Sequence, residues 1–225
     1  MTHANNALLH ELVSTANQLN TEGLVAGAGG NVSVRDGAGM WISPSGFSFT
    51  DAEPADYPCV SVESGEVTKG ARRPSSEVLM HLAIYRRRPE VNAVIHTHPR
   101  HTIALTSSGH DLKPMFADYY VYLGNHVPHL PYITVTTPEL AEAVGREFED
   151  ERCVGAVLRN HGAITVGASI REALFRTLAI EEQATIQCQA LQVGTPTFLS
   201  EEECARLDEL GSEAYRRKLL AAMRG

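Results

Sequence analysis

His96-Thr97-His98 closes a strand-like run, Val91-Asn92-Ala93-Val94-Ile95. Side chains alternate along a strand, so both imidazoles leave one face side by side, spaced for a single metal ion. Pro99 stops the ladder and exposes that end of the strand. A working metal site needs a third neutral ligand and an acid/base partner. His161 is the candidate ligand, in a tight turn between two apolar strands beside Asn160 and Gly162. Three imidazoles are a common protein contribution to catalytic zinc and leave a position open for substrate. Manganese, iron and cobalt suit the same nitrogen ligands. His3, His10, His101, His110, His126 and His129, taken singly, read as ordinary surface or core residues.

Glu77 is the candidate acid/base. It is expected in the first turn of a helix over 75–88, where a carboxylate also meets the positive end of the helix dipole. The preceding Ser75 and Ser76 add two hydroxyls to the free N–H groups of a helix start, an anion-binding end. His81, one turn on, either orients the carboxylate or packs. An acid/base carboxylate works best with its pKa raised toward neutrality, and a dry pocket is the usual means. Gly29-Gly30-Asn31 allows close backbone approach to an anion, and Ser43-Pro44-Ser45-Gly46 is a hydroxyl-rich turn after a strand. Arg72-Arg73 reads as a solvated pair. The chain has neither a Walker A loop nor GxGxxG, so no nucleotide is indicated.

These residues need elements to hold them. Apolar periodicity predicts helices over 5–22, 75–88, 137–149 and 169–193, a short one opening at 102–105, and a last one near 200–222. Strands are expected at 30–35, 40–43, 91–98, 154–159 and 163–166, with a hairpin over 60–67. The stretch 114–135 reads as irregular chain followed by a strand at 133–135. Ser169 with Glu172, and Ser200 with Glu203, form capping-box patterns. The order implies helices packed on a largely antiparallel or mixed sheet, one α/β domain over residues 1–225.

Bulk properties narrow the function. At 225 residues, 43% hydrophobic and 20% charged, the chain is ordinary for a globular protein. A net charge of −8 argues against a general nucleic-acid or anionic-membrane surface. No apolar run approaches the ~20 residues that span a bilayer. The start, Met1 to Asn6, lacks a basic segment and apolar core, and the four cysteines form no CxxC pair. Free thiols in a reducing cytoplasm are expected.

Five motifs in order resemble the class II aldolase/adducin family: Gly30-Asn31-Val32-Ser33-Val34-Arg35, Ile42-Ser43-Pro44-Ser45-Gly46, Pro74-Ser75-Ser76-Glu77, Ala93 to Pro99, and Asn160-His161-Gly162. The resemblance runs from about residue 7 to 210. It implies a single α/β/α domain around a mostly antiparallel central sheet. It implies a divalent metal, zinc first, on His96, His98 and His161, with Glu77 as catalytic acid/base. It also implies a substrate phosphate cradled by Gly30, Asn31, Ser45, Gly46, Ser75 and Ser76. The expected enzyme is a cytoplasmic lyase, a homotetramer with active sites at subunit interfaces. It would cleave a ketose 1-phosphate to dihydroxyacetone phosphate and an aldehyde through a metal-stabilised enediolate.

One departure stands out. The family's aldolases draw a tyrosine from the neighbouring subunit, in the stretch matching about 115–122. Here Ala117 or Asp118 falls there, with Tyr119 and Tyr120 next as catalytic candidates. Asp118-Tyr119-Tyr120-Val121 also resembles the 3-oxo-tetronate 4-phosphate decarboxylases, which carry lysine where this chain keeps Ser76. Aldol chemistry is therefore the first reading. A metal-dependent 3-oxo-acid decarboxylase is the alternative, followed by a pentulose-phosphate 4-epimerase or a methylthioribulose-phosphate dehydratase. A non-catalytic, adducin-like binding domain would be expected to lose the metal histidines, and all three are present. Tyr215 is a candidate for the aldehyde end.

Overall fold

Strand β1 (Asn31–Asp36) turns Val32 and Val34 into one apolar cluster, while Asn31 and Ser33 face the opposite side. That period-2 split decides where the chemistry sits. In the computed structural model, which describes residues 3–222, β1 lies in an eight-stranded sheet. The others are β2 (Gly39–Ile42), β3 (Cys59–Ser61), β4 (Val67–Lys69), β5 (Ala93–Thr97), β6 (His129–Leu130), β7 (Gly155–Leu158) and β8 (Gly162–Gly167). Their order is β4-β3-β2-β1-β5-β8-β7-β6, antiparallel at every pairing except β6 with β7. Met1 and Thr2, part of the segment read for a leader, lie outside the described residues.

Helices cover both faces. On one, α2 (Val78–Arg87) and α5 (Pro138–Glu147) bury Met80, Leu82, Ile84, Leu140 and Val144 against Met40, Val94, Ile164 and Val166. On the other, α1 (His3–Thr21) and α6 (Ile170–Val193) bury Leu9, Leu12, Ile170 and Leu174 against Val32, Val34, Ala93 and Ile95. Truncating one such buried leucine to alanine costs about 2–5 kcal/mol. The layers and the mostly antiparallel sheet are those expected.

Local corrections have physical causes. The helix expected over 75–88 begins only at Val78, with Glu77 at its N-cap. Residues 74–76 are tied sideways instead: Ser75 N–H donates to the Ser43 carbonyl, and Pro74 bridges to Pro44. Strand β5 ends at Thr97, because the His98 N–H donates to the Leu24 carbonyl rather than to the ladder. The irregular chain expected after 114 contains a helix, α4 (Ala117–Leu123), whose Tyr119 and Leu123 bury against Ala179 and Ile180 of α6. Tertiary burial overrides the β preference of that aromatic run. The strand expected at 133–135 is absent; the pairing falls earlier, at β6, and Pro131 follows it. The last predicted helix is two, α7 (Glu201–Asp208) and α8 (Gly211–Ala222). α3 (Arg100–Ser107) is the short helix expected near 102.

The C-terminal end of α2 is a knot of charge. Arg88 is 7% exposed and donates to the carbonyls of Phe148, Asp150, Glu151 and Cys153, and to Glu90. Arg35 donates to the carbonyls of Val91, Tyr85 and Arg88.

Candidate metal centre and substrate cavity

Four side chains converge at the other end of α2. Glu77 arrives at the helix N-cap, His96 and His98 from the end of β5, and His161 from the β7–β8 turn. That turn is closed by the His161 N–H donating to the Leu158 carbonyl, with Asn160 at φ 58°, a left-handed conformation asparagine tolerates. Gly162 follows because no larger residue fits: a Cβ there would lie 2.1 Å from the Thr97 carbonyl oxygen.

The donor atoms of Glu77, His96, His98 and His161 all lie within 4.8 Å of one another. Glu77 Oε2 is 3.2 Å from His96 Nε2, Glu77 Oε1 is 3.2 Å from His161 Nε2, and the Nε2 atoms of His96 and His98 are 3.1 Å apart. His96 is fully buried, and its Nδ1–H donates to the Ala163 carbonyl at 3.0 Å. This fixes the tautomer and leaves Nε2 bare toward the cluster, the second-sphere arrangement typical of metal-binding histidines. Glu77 Oε1 is buried and makes no hydrogen bond. Three imidazoles and one carboxylate with a bare buried oxygen fit a divalent ion of the zinc, manganese, iron or cobalt type.

Electrostatics follow from the crowding. Burial pushes the His98 pKa down to about 4, helped by positive charge on His96 and His161 and opposed by Glu77. Burial pushes Glu77 the other way, up. The positive field of His96 and His161, whose Nε2 atoms each lie 3.2 Å from a carboxylate oxygen, outweighs it and holds the carboxyl well below the usual range. The dry pocket expected to raise this pKa is present, but its histidines reverse the outcome.

Beside the cluster opens a cavity of about 260 Å³. Gly30, Asn31, Ser45, Gly46, Ser75 and Ser76, the residues expected to hold phosphate, all line it together with Glu77, His98 and His161. Ser75 Oγ is engaged by the Glu77 N–H, and the Asn31 side chain by Glu77 and His81. Val135 and Thr136 also line the cavity and were not singled out in the sequence. Thr136 has φ 66°, a strained value for a β-branched residue and the one signal, visible only in the backbone, that marks this loop. Tyr119 and Tyr120 do not line it: Tyr119 is buried in the α4–α6 cluster, and the Tyr120 hydroxyl donates to Asp208 Oδ2 at 2.7 Å. Tyr215 is 67% exposed.

Behind Asn31 runs a buried polar chain. Glu77, His81 and Tyr85 recur every four residues around α2, and Asn31 and Ser33 every two along β1, so two polar stripes face each other. Asn31 Nδ2 donates to Glu77 Oε2 at 2.9 Å, and Asn31 Oδ1 lies 2.5 Å from His81 Nε2. Ser33 Oγ lies 2.7 Å from His81 Nδ1 and 3.0 Å from the Tyr85 hydroxyl. Burial pushes the His81 pKa down to about 3, aided by His96 and opposed by Glu77.

Residues 10–188 match the Class II Aldolase and Adducin N-terminal domain, and the chain belongs to that family. It is an enzyme of the lyase class. It is 36% identical over 199 residues to the 5-deoxy-D-ribulose 1-phosphate aldolase of Bacillus thuringiensis serovar kurstaki, covering 88% of this chain and 92% of that one. It is 33% identical to a 5-methylthioribulose-1-phosphate/5-deoxyribulose-1-phosphate aldolase of Escherichia coli, covering 87% and 91%. A solved L-fuculose 1-phosphate aldolase superposes with a TM-score of 0.83 at 30% identity, covering 90% of this chain and 95% of the other.

Proposed function

We propose that the chain is a metal-dependent aldolase that cleaves a ketose 1-phosphate to dihydroxyacetone phosphate and an aldehyde. The observation that carries this reading is a single cavity lined by a carboxylate, two metal-ligand candidates and six anion-cradle residues. His96, His98 and His161 hold the ion, with Glu77 in reach of it. A divalent ion in that place supplies Lewis acidity at the substrate's carbonyl and hydroxyl oxygens. Backbone N–H groups at Gly30 and Gly46 and the hydroxyls of Ser45, Ser75 and Ser76 hold the phosphate and fix the reacting carbons beside Glu77. Glu77 takes the proton from carbon in the condensation direction and returns it in cleavage, at Oε1, the oxygen without a hydrogen bond. Being held ionised, Glu77 rests ready as a base.

Relatives acting on 5-deoxyribulose 1-phosphate favour a short-chain substrate, for which the aldehyde is acetaldehyde. The reading carries with it one domain over the whole chain, zinc as the ion, a homotetramer completing each site, and a cytoplasmic setting. Four free cysteines support the last. Tyr119, Tyr120 and Tyr215 stay candidates only through a neighbouring subunit, since none lines the cavity of its own chain.

The test is deuterium exchange into dihydroxyacetone phosphate, followed by NMR in D₂O with zinc- or manganese-loaded protein. Exchange that vanishes with chelator and in Glu77→Gln supports the reading, and acetaldehyde is then the first aldehyde to try. No exchange from a folded, metal-loaded protein overturns it in favour of 3-oxo-acid decarboxylation.

A further inference from the structure

Glu77 is acceptor-only when ionised, so the Asn31 amide must turn its NH₂ toward Oε2, at 2.9 Å. That leaves Asn31 Oδ1 pointing at His81 Nε2, which must then be the protonated nitrogen. A neutral imidazole carries one N–H, so Nδ1 is bare and accepts from the Ser33 hydroxyl. Tyr85 completes the chain: with the Ser33 proton spent on His81, the Tyr85 hydroxyl donates to Ser33 Oγ at 3.0 Å, and the Asn92 carbonyl lies 3.4 Å away. Each group has one way to face, and the direction is set throughout by the carboxylate at one end. An amide does not relay protons as a hydroxyl or imidazole does, so the chain holds geometry rather than conducting charge.

We propose that His81 is a positioning residue: through its Nε2–H it locks the Asn31 amide with Nδ2 on Glu77 Oε2, so that Oε1 alone is left to exchange a proton with substrate. The proposal rests on the aldolase reading for what Glu77 does, but the lock itself is a property of the resting protein. Without His81 the carboxylate still draws the amide NH₂, but Oδ1 loses its partner and the amide swings about its side-chain torsions. The carboxylate swings with it, and Oε1 loses its fixed aim into the cavity. His81 is fully buried and lines no part of the cavity itself, so it acts on the substrate only through Asn31.

Three substitutions separate positioning from packing. Glutamine places an N–H donor near the position of Nε2, whereas asparagine reaches only the position of Nδ1 and leucine restores neither. His81→Leu and His81→Asn are expected to lower kcat for deuterium exchange into dihydroxyacetone phosphate by about 10- to 100-fold, with KM and bound metal unchanged. His81→Gln recovers most of the rate. Equal rates in all three variants, or a change confined to KM, overturn the proposal.

A second readout needs neither activity nor a stable variant. Nitrogen-15 NMR of the metal-free, unaltered protein is expected to show the His81 ring as the neutral Nε2–H tautomer. It should also show the Asn31 side-chain amide with one strongly hydrogen-bonded proton. A Nδ1–H tautomer at His81 overturns the proposal even if every variant unfolds. If the unaltered protein exchanges no deuterium, the aldolase reading fails, while these ring and amide signals still decide the role of His81.

Discussion

The two ends of α2 each bury an ionisable side chain, and they treat it in opposite ways. At the C-terminal end Arg88 spends its guanidinium on four main-chain carbonyls and on Glu90. At the N-terminal end Glu77 keeps a buried oxygen with no hydrogen bond, faced by three imidazoles. Both placements suit the helix dipole, which favours a carboxylate at the start and a cation at the finish. Position on the helix therefore does not separate a structural charge from a chemical one. What separates them is whether the fold itself completes the hydrogen bonding.

The largest expected effect falls on the open end. Glu77→Gln should lower exchange into dihydroxyacetone phosphate by about 10²–10⁴-fold. It should lower the urea midpoint of the metal-free protein less than the loss of Arg88 does, because glutamine keeps an acceptor for the Asn31 amide. A large loss of stability in that variant would make Glu77 a second Arg88. Arg88→Leu should do the reverse. It strands buried carbonyls and lowers stability by about 3 kcal/mol in urea unfolding, while protein that remains folded keeps its metal and its exchange rate.

A smaller effect is the pH slope. His98 and His81 sit at about 4 and about 3, well under the ordinary 6.5, so the unfolded chain binds protons there that the fold refuses. Stability of the metal-free protein is thus complete above pH 6.5 and declines as the pH falls toward 4. Glu77, held low, adds loss in the same direction once the pH passes below its ordinary 4.5. Urea midpoints in chelator from pH 7 to 4.5 check the sign, and His81→Gln should flatten part of the slope. The smallest effect is a control on neither end: Arg146→Ala removes an exposed pair with Glu142 and should cost under about 0.5 kcal/mol by thermal unfolding.

Of the four side chains the fold gathers, the histidine pair at i, i+2 before a proline was legible from spacing. His161 and Glu77 stood out through the order of the five motifs. Most strands were legible through β-branched alternation, the short β6 excepted. Less visible was anything that depends on what lies across a gap. The sideways tie of Ser75 to Ser43 moves the start of α2 past Glu77, and it joins residues far apart in sequence. Helix α4 is held by burial of Tyr119 and Leu123 against α6, which no local propensity encodes. The facing stripes of Glu77, His81 and Tyr85 on α2 and Asn31 and Ser33 on β1 were each readable as a period of four or two. Their pairing was not, because nothing in either segment names its partner.

The four candidate ligands come from three separate stretches of chain, joined by the β5–β8 pairing and the start of α2. In the unfolded chain only His96 and His98 stay neighbours, so an ion prefers the finished fold by the full difference in affinity. Its supply then acts as a folding reserve: at a hundred times its dissociation constant it adds about 2.7 kcal/mol. A substitution anywhere in the core, however distant from the cluster, would be masked in metal-rich cells and exposed under metal starvation. The abundance of a weakened variant would then track the metal economy of its host rather than the severity of its own defect.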